Sequence, residues 1–153
     1  MGIKKLWESF WDPESSVDKE FSRISKLGSE SFEKKKYFEA IAYFDEAFRL
    51  IKNMGFFDSF FGIDDEYLLR GRAKLEIGDY KGAKKDFKKS KESRDTDYYF
   101  IYEEYFYRGI AKFYLNDFKG ALKDFYRSKL NDKDEFIFEE IEEWIQKTKL
   151  KDV

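Results

Sequence analysis

The stretch IGDYKGAKKDFKKSK, residues 77–91, returns later in the chain as LNDFKGALKDFYRSK, residues 115–129. The residues just upstream repeat at the same offset, because EYLLRGRAKLEI at 66–77 matches EYFYRGIAKFYL at 104–115. Two long copies at one fixed offset predict an array of similar structural units, each of which stacks on the next.

A third, fainter copy lies between residues 24 and 50, where five positions match the second copy at a constant offset. They are one glycine, two aromatic residues and two small residues. The sets are Gly28, Tyr37, Ala40, Phe44 and Ala47; Gly71, Tyr80, Ala83, Phe87 and Ser90; and Gly109, Phe118, Ala121, Phe125 and Ser128. The constant spacing predicts the same local structure three times.

Each copy is predicted to be a pair of α-helices. From Tyr37 to Ile51 the apolar residues recur every three or four positions, which is the period of one helical face. The predicted turns between the paired helices are Lys35-Lys36, Gly78-Asp79 and Asn116-Asp117. Gly, Asn and Asp end helices because they accept left-handed backbone angles or bond to the backbone. The predicted fold class is therefore all-α.

The composition restricts the chemistry of the chain. Its 153 residues include 30 Lys or Arg and 32 Asp or Glu, but no Cys and no His. This excludes disulfides, thiolate zinc sites, Cys nucleophiles and imidazole bases. Phosphate loops, dinucleotide-binding fingerprints and metal-ligand spacings are also missing. We therefore expect no enzyme activity, no cofactor and no metal site.

The same composition bears on location and partners. The chain has no long uninterrupted apolar run of the length that spans a bilayer, so we expect no membrane span. Glu8 and Asp12 interrupt the region that would be apolar in a secretory signal. A cytoplasmic protein is therefore expected, and the net charge of −2 argues against nucleic acid as the main partner.

The repeated pattern resembles the tetratricopeptide repeat (TPR), a helix-turn-helix unit of about 34 residues. Leu27-Gly28 matches the Leu-Gly pair of this family, and the Ala, aromatic and Ala positions are matched by Ala40, Phe44 and Ala47. The resemblance implies a helix-turn-helix repeat solenoid, the TPR-like superhelix.

The chain departs from the family pattern at two points. Arg70 and Arg108 replace the Leu that precedes Gly, and the Pro that usually closes each repeat is absent. The missing Pro predicts helices that continue past their usual end.

On this basis residues 1–153 are predicted to form a single TPR-like domain. Its parts are an N-terminal amphipathic helix at 1–12, repeat 1 at 21–54, an aromatic insertion at 55–63, repeat 2 at 64–97, repeat 3 at 102–135 and a capping helix at 136–151. The insertion contains GFFDSFFG, residues 55–62, in which four phenylalanines occupy six positions.

The resemblance implies a non-enzymatic module that binds a peptide or partner protein in the concave groove lined by the first helices. Carried over by position, the groove residues are Leu68, Arg72, Glu76, Phe106, Ile110, Phe113 and Tyr114. The basic and Asn residues with which one TPR subfamily clamps chaperone C-termini are not in place. Repeat 3 is aromatic instead, which suits an apolar anchor with Arg72 as a polar partner. The alternative is that these aromatics pack against the capping helix.

Two other functions remain open at this level. A self-assembling structural subunit would use the aromatic insertion or the N-terminal helix, with Phe56, Phe57, Phe60, Phe61, Trp7 and Trp11 as candidate interface residues. The apolar face of the predicted N-terminal helix could also pack on repeat 1 as a cap or lie on a membrane surface. The basic stretch 81–94 permits RNA binding as a minor alternative, although such runs are usually solvated helix faces.

Overall fold

The fold is known from a computed structural model that describes residues 16–53, 63–93, 101–133 and 135–152. These residues form seven helices and no strand, which confirms the all-α prediction. The helices are α1 (Ser16–Glu33), α2 (Tyr37–Asn53), α3 (Asp64–Glu76), α4 (Tyr80–Ser93), α5 (Ile101–Tyr114), α6 (Phe118–Asn131) and α7 (Phe138–Lys149). None of them is long and apolar enough to cross a membrane.

The described helices fall into two compact units, with α1 and α2 in the first and α3 to α7 in the second. The first unit is one helix-turn-helix pair. The second contains two such pairs, α3–α4 and α5–α6, followed by α7. Within the second unit each helix contacts the next, α3 also contacts α5, and α5 also contacts α7. That all repeats form one domain over 1–153 stays a prediction.

A glycine of the first helix and a phenylalanine of the second meet in every pair. A Cβ atom added to Gly28 would lie 2.8 Å from the ring of Phe44, and one added to Gly109 would lie 2.6 Å from the ring of Phe125. Gly71 meets Phe87 in the same way. These Phe rings are fully buried. The repeated glycine therefore allows the first helix to approach a core ring closely.

The turn between paired helices has the same backbone conformation three times. Gly78 has φ 81°, Asn116 has φ 60°, and Lys35 has φ 58° at the equivalent position. Gly and Asn adopt this left-handed region readily, as predicted, whereas a residue such as Lys is strained there. Repeat 1 therefore carries local strain that repeats 2 and 3 avoid.

The helices after these turns begin with an aspartate cap in repeats 2 and 3. The Oδ1 atom of Asp79 accepts a hydrogen bond from Gly82 N at 2.9 Å, and Asp117 Oδ1 accepts one from Gly120 N at 3.0 Å. A side-chain oxygen at this position satisfies a helix N–H that lacks a backbone acceptor. Asp132 acts similarly before α7, because its carboxylate accepts from the N–H groups of Phe136 and Ile137.

The two arginines that depart from the family pattern each pair with a buried aspartate on the second helix. Arg108 Nε donates to Asp124 Oδ2 at 2.7 Å, and Lys112 Nζ lies 2.7 Å from the same oxygen. Asp124 is 1% exposed. Burial disfavours its charge, but the bonds from Arg108 and Lys112 outweigh that effect and lower the pKa of Asp124 below its ordinary value.

Repeat 2 contains the same cluster. Arg70 Nε donates to Asp86 Oδ2 at 2.8 Å, and Lys74 Nζ lies 2.9 Å from that oxygen. Repeat 1 differs at the equivalent positions, which hold Leu27, Ser31 and Tyr43. Two repeats thus have a charged triad, whereas the equivalent sequence positions of the first repeat hold no charged residue.

Relief of the strained turn is expected to stabilise the chain. We expect Lys35→Gly to raise the free energy of unfolding by about 1 kcal/mol, because the left-handed conformation costs an L-residue about 1–2 kcal/mol. Urea unfolding followed by circular dichroism measures this change. The matched control is Lys34→Gly, which should lower the stability, since only flexibility is added there. Equal effects of the two substitutions would contradict the strain.

Asp124 is expected to contribute to the free energy of unfolding only while Arg108 and Lys112 are present. Asp124→Ala should lower the free energy of unfolding by about 3–5 kcal/mol, because it leaves Arg108 and Lys112 partly buried without a counter-charge. The triple change Arg108→Leu, Lys112→Ser and Asp124→Tyr, which copies repeat 1, should recover most of this loss. Urea unfolding tests both variants, and a triple variant as unstable as Asp124→Ala would refute the equivalence.

Candidate functional site

The candidate site is a surface formed by three helices. The helices α3 and α5 carry the predicted groove residues, and α7 carries residues at corresponding positions. We call this surface the first-helix face. The three helices come together because α3 and α5 open repeats 2 and 3, while α7 follows α6 as a further first helix would. The contacts of α5 with both α3 and α7 make the surface continuous.

Three of the predicted groove residues belong to the core of the second unit. Leu68 is buried with Ala83 and Phe87, and Phe106 is fully buried in the cluster around Phe125. Phe113 is 8% exposed and lies in that same cluster, which includes Ile141 and Ile145 of α7. Leu68 and Phe106 support the face from beneath, whereas Phe113 belongs to the same core but keeps a small exposed part of its ring.

The other four predicted groove residues are accessible. Arg72 and Ile110 are half-buried, while Glu76 and Tyr114 are exposed. Arg72 is held in place by an aromatic neighbour, because its Cζ atom lies 4.7 Å from the ring centroid of Tyr107. An arginine at this distance is attracted to the face of the ring. The sequence-predicted set therefore divides into a buried layer and an accessible layer.

The accessible layer contains three aromatic residues that the sequence prediction omitted: Tyr80, Tyr107 and Trp144. Tyr80 stacks on Tyr114 with ring centroids 4.6 Å apart and an interplanar angle of 8°. The ring of Trp144 meets that of Tyr114 edge to face at 6.1 Å. The repeat itself provides a signal for Trp144, since it lies one TPR length after Ile110, on the helix regarded only as a cap.

Carboxylates from three helices act on Tyr107. Burial is the first cause of the raised pKa of its hydroxyl, and Glu103, Glu140 and Glu76 raise it further, with Arg72 acting in the opposite direction. Each of the helices α3, α5 and α7 supplies one of these glutamates. Charged groups of both signs from the three helices therefore meet around the ring of Tyr107.

The aromatic insertion, the N-terminal helix and the basic stretch 81–94 are the other predicted functional elements. Phe56, Phe57, Phe60, Phe61, Trp7 and Trp11 lie outside the described residues, so their roles stay predictions. On α4 the exposed basic residues are Lys81, Lys85, Lys88 and Lys89. Lys88 lies 3.5 Å from Glu92, as expected of a solvated helix face. RNA binding through this helix remains the minor alternative.

The described residues hold no group of His, Cys, Asp or Glu side chains that could bind a metal ion. Many of their carboxylates are exposed, paired with Lys and Arg, or used as helix caps, whereas Glu104 is buried and accepts a hydrogen bond from Ser90 Oγ at 3.0 Å. The accessible groups of the face are aromatic, aliphatic and charged.

No family model and no curated protein sequence matches the chain. Solved structures do match, at low sequence identity. The Arabidopsis OM64 TPR domain is 20% identical with a TM-score of 0.66, and the match covers 83% of this chain and 94% of that domain. The TPR2B domain of yeast Sti1, in its pHsp70 complex, is 17% identical with a TM-score of 0.68, covering 85% and 96% of the two chains.

A third structure, the N-terminal domain of STI-1 from C. elegans, is 20% identical with a TM-score of 0.65, and the match covers 84% of this chain and 97% of that one. Each of these proteins is similar in fold to the helix-turn-helix repeats that the sequence pattern predicts. The chain therefore has the tetratricopeptide-repeat fold, with three helix-turn-helix repeats followed by a capping helix.

Proposed function

We propose that this chain is a non-enzymatic protein-interaction module, and that its first-helix face binds a peptide or partner protein. The observation that carries the proposal is a continuous accessible strip on three helices, formed by Arg72, Tyr107, Ile110, Tyr114 and Trp144. The strip lies over a fully packed core, so it is presented on a rigid base.

The residue types of the strip suit a binding surface. Arg, Tyr and Trp are the residues most often found at the energetic centres of protein interfaces, because they combine large apolar area with a polar group. Tyr114 is 46% exposed although it is aromatic. Its ring is fixed by Tyr80 and Trp144, so little side-chain entropy would be lost when a ligand binds there.

The similar solved structures support binding of protein segments, whereas the residues of this chain favour a ligand of different chemistry. Those of yeast Sti1 include complexes with pHsp70 and with pHSP90. The basic and Asn residues of a carboxylate clamp are not in place in this sequence, and three glutamates act on Tyr107. We therefore infer a cytoplasmic interaction module whose ligand is not an acidic chaperone tail.

The strip is expected to account for partner binding. The double variant Arg72→Ala and Tyr114→Ala should lose captured proteins that the wild-type chain retains, with affinity reduced at least about tenfold, because such residues commonly dominate binding energy. The measurement is affinity capture from an extract of the native cells, followed by identification of the bound chains and direct titration. Phe113→Ala is unsuitable, since it would open a core cavity costing about 3–5 kcal/mol.

The matched control is Arg127→Ala with Tyr126→Ala on α6. Tyr126 is 44% exposed, and Arg127 lies over the ring of Tyr105, so this pair removes similar side chains from another surface. The control variant should keep the partners, and circular dichroism should show both variants folded. Capture of the same proteins by both double variants would exclude the first-helix face as the binding surface.

A further inference from the structure

A lysine of the chain itself shows where the first-helix face holds a cation. Lys147 Nζ lies 4.1 Å from the ring centroid of Trp144, 5.1 Å from that of Phe113 and 6.0 Å from that of Tyr114. A cation within about 6 Å of a ring centroid is attracted by the electron density of the ring face. We call the three rings the aromatic cage.

The rings of the cage are mutually edge-on, as walls that meet at a corner. The interplanar angles are 89° between Phe113 and Tyr114, 79° between Phe113 and Trp144, and 70° between Tyr114 and Trp144. Three ring faces in such directions form a box for a compact positive group, the arrangement by which proteins recognise ammonium ligands.

Contacts behind the cage fix its shape. Tyr80 stacks on the outer wall, Tyr114, and Phe125 stacks at 5.9 Å on Trp144. Phe113, the inner wall, also meets Phe118 edge to face at 5.5 Å. Each ring is therefore held by another ring outside the cage, and the box does not depend on the cation for its geometry.

Lys147 is suited to be a replaceable occupant. It is exposed in the last turn of α7, and its ammonium is carried on a flexible stem that can turn into water. The neighbouring strip also carries carboxylates, because Glu76, Glu103 and Glu140 act on Tyr107. A second cation brought by a ligand would find the three rings in place and carboxylates on the same face.

We propose that the aromatic cage is a subsite for a lysine or arginine side chain of a peptide partner, and that Lys147 occupies it in the unbound protein as an internal competitor. This inference rests on the proposed function, since it names the chemistry of the ligand that the first-helix face binds. It assigns the partner as a basic segment with apolar neighbours that contact Ile110 and Tyr107.

The first test selects peptides from a random library, so the natural partner need not be identified. Random 12-residue peptides displayed on phage are selected on the wild-type chain and counter-selected on the Arg72→Ala/Tyr114→Ala variant. The expected result is enrichment of Lys and Arg over Asp and Glu. In the best synthetic peptide, replacing the critical Lys or Arg by norleucine should then weaken binding about tenfold or more.

The second test addresses the internal competitor. Lys147→Gln should tighten binding of that peptide about two- to five-fold, because the ligand no longer displaces a bound ammonium. Lys149→Gln is the matched control, since Lys149 is exposed in the same turn and lies 6.0 Å from the ring of Tyr126, outside the cage. This control should leave the affinity unchanged.

Trp144 supplies a direct readout. The chain has three tryptophans, so the double variant Trp7→Phe/Trp11→Phe leaves Trp144 as the single tryptophan. The selected peptide should change its fluorescence, and the norleucine peptide at equal occupancy should change it less.

Two results distinguish the cage from the binding face as a whole. The selected peptides could depend on Arg72 and Tyr114 and yet be acidic, or bind equally well after norleucine replacement. Either result would refute the cage as a site for Lys or Arg and leave the proposed binding face intact. If counter-selection removes every binder, so that all peptides that bind the wild type also bind the variant, the proposed function itself would be overturned. An affinity unchanged by Lys147→Gln would overturn the role of Lys147 as competitor.

Discussion

The close approach of a glycine to a phenylalanine ring is the contact on which each repeat depends. In all three repeats a methyl group on the glycine would collide with the ring, so the first helix lies directly on the core of its own pair. The second helix can then bury its phenylalanine completely, and the alanines around it fill the remaining space. The separation of the paired helices follows from this contact, and it also bears on where α3 and α5 present their residues on the first-helix face.

The same contact explains why arginine is tolerated where the family has leucine. Arg70 immediately precedes Gly71 and Asp86 immediately precedes Phe87, so the contact that joins glycine and phenylalanine also brings arginine and aspartate together. The charges are buried as a hydrogen-bonded pair with a lysine, which lowers the cost of removing them from water. Repeat 1 has Leu27 and Tyr43 at the equivalent sequence positions.

Much of this architecture was predictable from the sequence, because helices, turns and the glycine contact follow a local period. The Arg–Asp–Lys clusters were also accessible in principle, since each arginine and its aspartate have the same separation along the chain as the meeting Gly and Phe. The burial of Phe106 and Phe113 was not predictable in this way. It depends on where α7 places Ile141 and Ile145, and a helical stripe alone does not tell whether it faces a neighbouring helix or a ligand. Trp144 is not among the predicted groove residues for a related reason, because the pattern of the last helix predicts a cap.

Arg72, Ile110 and Trp144 occupy equivalent positions on three successive first helices. In an array of identical repeats, an extended ligand could slide by one unit and meet the same surface again. In this chain the three helices present a cation, an aliphatic side chain and an indole in turn. A ligand shifted by one repeat would therefore meet a different type of side chain at each position. If the first-helix face binds such a ligand as proposed, the divergence of the repeats would define one register and one direction along the helices, while their cores remain alike.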